Sequence, residues 1–245
     1  MDKKNKLILI IIAVCTLVVV GICGWAIRNH EKEIQKIEKS DALKFKEEYE
    51  SLNGKATSNN STYPTVTIDE NNTVKYVTET EAVELLENGT GIIYFGFKEC
   101  PWCRNMISTL TNVAKENATK VYYLDILDLR SKIELKEVNE KMEIQVTKKG
   151  TDSYYKILNI LDKDLTDYEL VDEKGKKYNT GEKRLYAPTV VSFDEGSIEE
   201  VHVGTVESQE DPYVKLTEDE EKELNKIFTK IVKSVKKDSC TSASC

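Results

Sequence analysis

The amino-acid sequence predicts a mixed α/β domain preceded by one N-terminal membrane-spanning helix. Three observations indicate this fold class. The chain opens with a long uncharged apolar run, two short apolar runs follow near its middle, and a single apolar stripe recurs at helical spacing near its end. Short continuous apolar runs are typical of strands buried on both faces. A stripe at three- and four-residue steps is typical of a helix that covers a core.

The N-terminal apolar run, Leu7–Ile27, is predicted to be a membrane anchor in contact with lipid. Its length as a helix is roughly 31 Å, which matches a hydrocarbon core of about 30 Å. Lys3, Lys4 and Lys6 precede the run, whereas charges of both signs follow from Arg28. Because cytoplasmic flanks are the more basic ones, we expect a single-pass protein of the cell membrane whose N-terminus is cytoplasmic and whose remaining chain lies outside.

A cleaved signal peptide is the alternative interpretation of this run. Its apolar region would be about 7–15 residues long and would end at a small-x-small cleavage site. Gly24-Trp25-Ala26-Ile27 does not fit such a site. The uncleaved anchor is therefore the preferred interpretation, with Cys15 and Cys23 as small apolar residues in lipid.

The chain beyond the anchor divides by composition. Residues 1–28 form the cytoplasmic tip and the anchor, and residues 29–64 are predicted to be a charged helical stalk followed by a Ser/Thr/Asn-rich linker. The folded domain is expected over residues 65–237, and residues 238–245 form a cysteine-containing tail. The formal net charge of -8 argues against nucleic acid as a partner.

The first half of the predicted domain alternates strands and helices. A short strand over Val74–Val77 is followed by Thr78 and Glu81, whose spacing is that of a capping box and predicts a helix ending near residue 88. Gly91–Phe97 is predicted to be a buried central strand. A helix from residue 101 to about residue 117 and a second buried strand over Val121–Leu124 follow.

The second half of the domain is predicted to contain an insertion, a hairpin and a final helix. The insertion spans about residues 127–185, with a helix near residues 154–165 and a polar turn joining two short strands. Thr189–Phe193 and Ile198–Val203 flank a turn and predict a hairpin. Thr217 and Glu220 form a second capping-box pattern before the last helix. Its apolar stripe consists of Leu224, Ile227, Phe228, Ile231, Val232 and Val235.

The residues most informative about chemistry are Cys100 and Cys103, spaced as Cys-Pro-Trp-Cys directly after a buried strand and at the start of a helix. A helix N-terminus favours a thiolate because its N–H groups are unpaired and its dipole is positive. Cys100 is therefore the predicted nucleophile, and Cys103, one turn later, the thiol that resolves a mixed disulfide. Lys98 favours the thiolate and Glu99 opposes it.

A zinc half-site is the alternative, because the same spacing also suits zinc. A second Cys-x-x-Cys pair is missing from the sequence, and its two histidines, His30 and His202, stand alone. Cys240 and Cys245 are the only further cysteines outside the apolar run that could complete four ligands. We therefore predict no metal and no cofactor, and a redox role for the pair.

The order strand, Cys-x-x-Cys, helix, strand, then Ala187-Pro188-Thr189 before a hairpin and a last helix resembles the thioredoxin superfamily. The segments GIIYFGFKECPWC and LYAPTVVSFDEG are similar to those of membrane-anchored bacterial thioredoxin-like and bacteriocin transport accessory proteins. The resemblance implies a thioredoxin fold with an insertion before the cis-proline strand. It also implies that Pro188, with Ala187, Pro101 and Trp102, presents substrate beside the cysteines. Tyr94 departs from the family, which has a buried acid there.

The predicted function is an extracytoplasmic thiol–disulfide oxidoreductase whose partners are the thiols or disulfides of secreted or cell-surface proteins. A membrane electron-transfer partner is a further expectation. The alternative is a non-catalytic thioredoxin-fold binding or assembly accessory protein, for example in peptide or bacteriocin export. A third interpretation is a structural domain with a static disulfide. Cys240 and Cys245 are interpreted either as a second redox pair that exchanges with the first or as terminal thiols without function.

Overall fold

The computed structural model describes residues 40–235 and Gly21. The chain divides into two units, Met1–Ser40 and Asp41–Cys245. The predicted anchor and the tail cysteines lie, apart from Gly21, outside the described residues. Among the residues that are described, no helix is long and apolar enough to cross a bilayer.

The larger unit has a mixed α/β architecture around a central sheet, as the sequence predicts. Its helices are α1 (Asp41–Glu50), α2 (Glu79–Asn88), α3 (Pro101–Glu116), α4 (Asp152–Ile160) and α5 (Glu218–Val235). Its strands are β1 (Val74–Tyr76), β2 (Gly91–Gly96), β3 (Val121–Asp125), β4 (Lys132–Val138), β5 (Lys141–Lys148), β6 (Asp167–Val171), β7 (Lys177–Lys183), β8 (Thr189–Asp194) and β9 (Ser197–Val203). A short 3-10 helix spans Asp162–Asp164.

Five strands form the central sheet in the order β1-β3-β2-β8-β9. Strands β1 and β2 run parallel to β3, whereas β8 is antiparallel to both β2 and β9. Strand β2 lies at the centre, and all six of its residues are buried, as its continuous apolar run predicts. The order therefore places the end of β2, where the cysteine motif begins, next to the start of β8.

The two faces of the sheet carry separate hydrophobic cores. Ile92 and Tyr94 of β2 point into a core shared with α1, α3 and α5, whereas Ile93 and Phe95 point into a core shared with α2 and α4. This alternation follows from the period of two along a strand. The predicted stripe of α5 covers the first core, with Phe228 fully buried.

Local capping signals fix two helix starts as predicted. The Thr78 hydroxyl accepts from the Glu81 N–H while the Glu81 carboxylate accepts from the Thr78 N–H, and Thr217 and Glu220 make the same reciprocal pair. Each pair satisfies N–H groups that a helix start otherwise leaves without partners. These four residues determine where α2 and α5 begin.

The stalk prediction is wrong for residues 41–53. Helix α1 lies there and places Phe45 and Tyr49, both fully buried, in the core of the sheet. Residues 56–63, predicted to be a linker, form a tight turn closed by an Ala56–Thr62 bridge. The larger unit thus begins at Asp41, well before the expected residue 65. Two aromatic residues four apart were too few to indicate a buried face in so charged a segment.

The predicted insertion contains one hairpin more than the sequence indicated. Helix α4 and the β6–β7 hairpin with its polar turn agree with the prediction. The β4–β5 hairpin was not predicted; Asn139 and Glu140 at its turn both have positive φ. Apolar residues do alternate with polar ones in these strands, at Ile133 and Leu135 of β4 and at Met142, Ile144 and Val146 of β5, so the strand pattern was present in the sequence and was overlooked.

Candidate functional site

Cys100 lies at the junction of β2 and α3, where it is the N-cap residue of the helix. Its backbone is extended, with φ -75° and ψ 116°, and its sulfur accepts a hydrogen bond from the Cys103 N–H at 3.3 Å. Pro101 follows at the start of the helix, where a missing N–H has no cost. The predicted local geometry is therefore present.

The surroundings of Cys100 favour its thiolate. The hydrogen bond with the Cys103 thiol lowers the pKa of Cys100, and backbone N–H groups of Cys103 and Trp102 act in the same direction. The cationic Arg130 lowers this pKa further, whereas burial opposes the shift. Helix N–H groups and a nearby cation are the usual causes of an acidic cysteine.

Cys103 has the opposite environment. Its side chain is fully buried, and this burial raises the pKa of the Cys103 thiol well above its usual range; the neighbouring Cys100 raises it further. Both cysteines are free thiols in the structure. Cys100 therefore ionises before Cys103, which agrees with the predicted assignment of nucleophile and resolving thiol.

The loop before β8 brings the predicted substrate-contacting residues to the cysteines. The Ala187–Pro188 peptide bond is cis. The Cys100 thiol donates a hydrogen bond to the Ala187 carbonyl oxygen at 3.3 Å. A groove of about 620 Å³ is lined by Trp102, Ala187 and residues 202–207. It therefore borders the residue whose carbonyl oxygen contacts the Cys100 thiol.

Arg130 is a site residue that the sequence analysis missed. It follows β3, its guanidinium lies 4.9 Å from the centre of the Phe97 ring, and it interacts electrostatically with both cysteines. Its Nε atom is buried and has no hydrogen-bond partner in the described part of the chain. The positive charge of Arg130 lowers the pKa of the Cys100 thiol. A single arginine in a charged stretch carries no sequence signal.

Arg104, directly after the second cysteine, connects the site to the N-terminal segment. It is 2% exposed, and its guanidinium donates to the backbone oxygens of Tyr49, Pro64 and Lys98 and to the Asn53 side chain, at 2.7–3.2 Å. One buried cation thus holds the end of α1, the turn that follows and the loop before Cys100. Charged donors make the stronger class of hydrogen bond.

Tyr94 lies behind Cys103, at the position where the resemblance implies an acid. Its ring is fully buried, its hydroxyl is hydrogen-bonded to the Tyr49 hydroxyl at 2.7 Å, and it acts against the rise that burial causes in the pKa of the Cys103 thiol. Burial raises the pKa of Tyr94 well above its usual value, so this hydroxyl is neutral. Tyr49 was missed because its segment was interpreted as a stalk.

The tail cysteines and His202 were also singled out by the sequence analysis. Cys240 and Cys245 lie outside the described residues. The ring of His202 pairs with the Thr205 carbonyl oxygen at 2.8 Å and packs on Phe228. No group of three or more His, Cys, Asp or Glu side chains arranged to hold a metal occurs within residues 40–235.

Comparison with known proteins gives no match for this chain, either among family models or among curated proteins and solved structures. The geometry and electrostatics of the cysteine site therefore carry the functional inference.

Proposed function

We propose that this protein is a thiol–disulfide oxidoreductase of the thioredoxin superfamily that acts on secreted or cell-surface proteins outside the cytoplasmic membrane. The strand order β1-β3-β2-β8-β9 supports the thioredoxin fold, since it unites the cysteine-bearing end of β2 with the loop that contains Pro188. The cis bond before Pro188 was expected from the resemblance.

The observation that carries the proposal is the opposite environment of two adjacent thiols. Cys100 has a lowered pKa and lies against the Ala187 carbonyl, whereas Cys103 is fully buried and has a raised pKa. A static disulfide or a purely structural pair has no need for such a difference. An enzyme of this class needs one sulfur that attacks and another that stays protonated until the mixed disulfide has formed.

The reaction then follows from the two sulfurs. The Cys100 thiolate attacks one sulfur of a substrate disulfide, which breaks the substrate S–S bond and releases the other substrate sulfur as a thiolate. Cys103 loses its proton and attacks Cys100, forming the Cys100–Cys103 bond and releasing the second substrate thiolate. The protein pair is oxidised by two electrons and the substrate disulfide is reduced; the reverse sequence oxidises a dithiol.

Trapping experiments on the full chain in detergent test the proposal. Cys103→Ser should accumulate mixed disulfides through Cys100 with a disulfide-containing protein such as insulin, because the resolving thiol is missing. Cys100→Ser should trap almost nothing and should not catalyse insulin reduction by dithiothreitol. Equal trapping by both variants would contradict the assignment, and an inactive wild-type protein would support the accessory-protein alternative.

The Cys240→Ser/Cys245→Ser double variant is the matched control, since it removes two cysteines outside the site. Unchanged turnover in this control, with no disulfide between the tail and the site, would leave the tail without a redox role. Slower exchange of the Cys100–Cys103 pair in a fixed thiol buffer would support the second redox pair. The reduction potential of the 100/103 pair sets the direction of electron flow.

The proposed location outside the membrane has a separate test. A thiol reagent that cannot cross membranes should label Cys100 in intact cells after reduction, because the anchor at Leu7–Ile27 is proposed to place the domain outside. Labelling only after the membrane is broken would contradict this topology. An extracytoplasmic site also permits the pair to rest oxidised until a membrane electron-transfer partner reduces it.

A further inference from the structure

We propose that a chain of buried phenol hydroxyls, formed by Tyr94, Tyr49 and Tyr123, carries the proton of Cys103 to the carboxylate of Glu48. The inference rests on the proposed function and adds the route by which the buried resolving thiol is deprotonated. Cys103 is fully buried, so its proton has no direct contact with water.

The first step joins Cys103 to Tyr94. Burial raises the pKa of the Cys103 thiol, and the neighbouring Tyr94 hydroxyl acts against that rise; both side chains are fully buried in the same core. The strand leaves space for this hydroxyl at Gly96, two residues later on the same face. A Cβ atom at residue 96 would lie 2.1 Å from the Tyr94 oxygen. Glycine at this position therefore permits the tyrosine to reach the sulfur.

The second step joins Tyr94 to α1. The hydroxyls of Tyr94 and Tyr49 are 2.7 Å apart, and either can donate. This freedom matters because a relay requires every hydroxyl to accept one proton and release another. Tyr49 is held in place from both ends, since its ring packs 4.7 Å from Phe45 and its carbonyl accepts from Arg104 at 2.8 Å.

The third step leads out of the core. The Tyr123 ring packs edge-on against the Tyr49 ring with centres 6.2 Å apart, and it stacks on the Tyr94 ring at 5.4 Å, so the three hydroxyls belong to one buried cluster. The Tyr123 hydroxyl donates to Glu48 at 3.4 Å, and Tyr76 donates to the other oxygen of the same carboxylate. Glu48 is only half-buried, so its carboxylate can exchange protons with water.

Few other charges bear on this path. Cys100 and Arg130 interact with Cys103 itself, Arg104 lies near Tyr49 and Tyr94, and Asp125 lies near Tyr123. Neither arginine can accept a proton, because each remains protonated. The Asp125 carboxylate accepts the Leu127 N–H at 2.8 Å, whereas Glu48 accepts the Tyr123 hydroxyl directly. Glu48 is therefore the exit of the chain.

Each proton moves one position along the chain of hydroxyls. Once Cys100 is bonded to a substrate sulfur, Cys103 gives its proton to the Tyr94 oxygen while the Tyr94 proton passes to Tyr49. The Tyr49 proton passes to Tyr123 and the Tyr123 proton to Glu48, so that every phenol stays neutral. The Cys103 thiolate attacks Cys100, the substrate sulfur leaves with the electron pair, and Glu48 loses its proton to water.

Two-phase release of 2-nitro-5-thiobenzoate from Ellman's reagent separates the two thiols in a full-length chain whose other four cysteines, Cys15, Cys23, Cys240 and Cys245, are changed to alanine. This chain is the wild-type reference, and the variants below are made in it. The first equivalent reports attack by Cys100, and the second reports resolution by Cys103. Tyr94→Phe and Tyr49→Phe should slow the second phase about tenfold at neutral pH, because each removes a hydroxyl from the path by which the Cys103 proton leaves, and should leave the first phase unchanged. In both variants the pH profile of the second phase should shift to higher pH. The solvent isotope effect on this phase should be smaller in the variants than in wild type.

Two further variants keep the test decisive. Glu48→Gln removes a half-buried carboxylate without leaving a cavity. This variant should also slow the second phase. Tyr122→Phe is the matched control, because it removes a hydroxyl from the same strand on the opposite face and should leave both phases within about twofold of wild type.

The outcomes distinguish the two proposals. A second phase that is present in wild type and unchanged in Tyr49→Phe and Glu48→Gln would refute the relay while the oxidoreductase proposal stands. A slow Tyr94→Phe beside a normal Tyr49→Phe would reduce the relay to one hydrogen bond and also refute it. Absence of a second phase in the wild-type protein would refute the function and the relay together.

Discussion

Replacing Phe45 with alanine tests whether the N-terminal helix α1 is an integral part of the core. The Phe45 side chain is fully buried, and its ring centre lies 4.7 Å from that of Tyr49 and 4.9 Å from that of Tyr123. The change removes about 100–150 Å² of buried apolar surface, which corresponds to about 3 kcal/mol at about 25 cal/mol per Å². Incomplete closure of the cavity raises the expected loss to about 3–5 kcal/mol.

Urea unfolding of the full chain in detergent, followed by far-ultraviolet circular dichroism, measures this loss. With an m-value of about 2 kcal/mol per M, the midpoint should fall by about 1.5–2.5 M without a change in m. Lys44→Ala is the matched control, because Lys44 is exposed on the same helix and its ion pair with Asp41 is long, at 4.0 Å; it should cost less than about 0.5 kcal/mol. Equal midpoints for the two variants would refute the packing of α1 and restore the stalk interpretation.

Three further changes follow from the site. Arg130→Met should raise the pKa of Cys100, because the nearby positive charge is lost; the thiolate absorbance at 240 nm should therefore appear at higher pH. Arg104→Met should lower the free energy of unfolding by about 3–5 kcal/mol, since it leaves buried oxygens without their charged donor, as urea unfolding would measure. Gly96→Ala should displace the Tyr94 hydroxyl and slow resolution by Cys103 in the two-phase assay, with the first phase unchanged.

Each of these changes has a control or a contradicting outcome. Lys98→Met should leave the pKa of Cys100 unchanged. An equal pKa of Cys100 in Arg130→Met and Lys98→Met would contradict the role of Arg130. Lys115→Met changes an exposed cation of α3 whose partner is the exposed Asp69, so it should cost less than about 1 kcal/mol. A Gly96→Ala protein that resolves at the wild-type rate would show that the close approach to Tyr94 has no effect on the reaction.

Local patterns determined the elements nearest the site. The apolar run of β2, the capping boxes of α2 and α5 and the stripe of α5 depend on neighbours within a few residues, so the sequence alone predicts them. The geometry of Cys100 at a helix N-cap is likewise local, because a strand, a cysteine and a proline at the first helical position follow one another directly. The proposed roles of the two cysteines could therefore be inferred from the sequence alone.

Long-range packing decided what the sequence could not indicate. Helix α1 is charged along most of its length, and only its contact with β3 and α3 gives Phe45 and Tyr49 a buried environment. Arg130 and Ala187 are far from the cysteines in sequence, and the order of strands in the sheet brings them to Cys100. Burial and electrostatic interaction depend on distance in space, whereas periodicity and capping depend on distance along the chain. For this reason the motif was predictable and the residues that tune its two thiols were not.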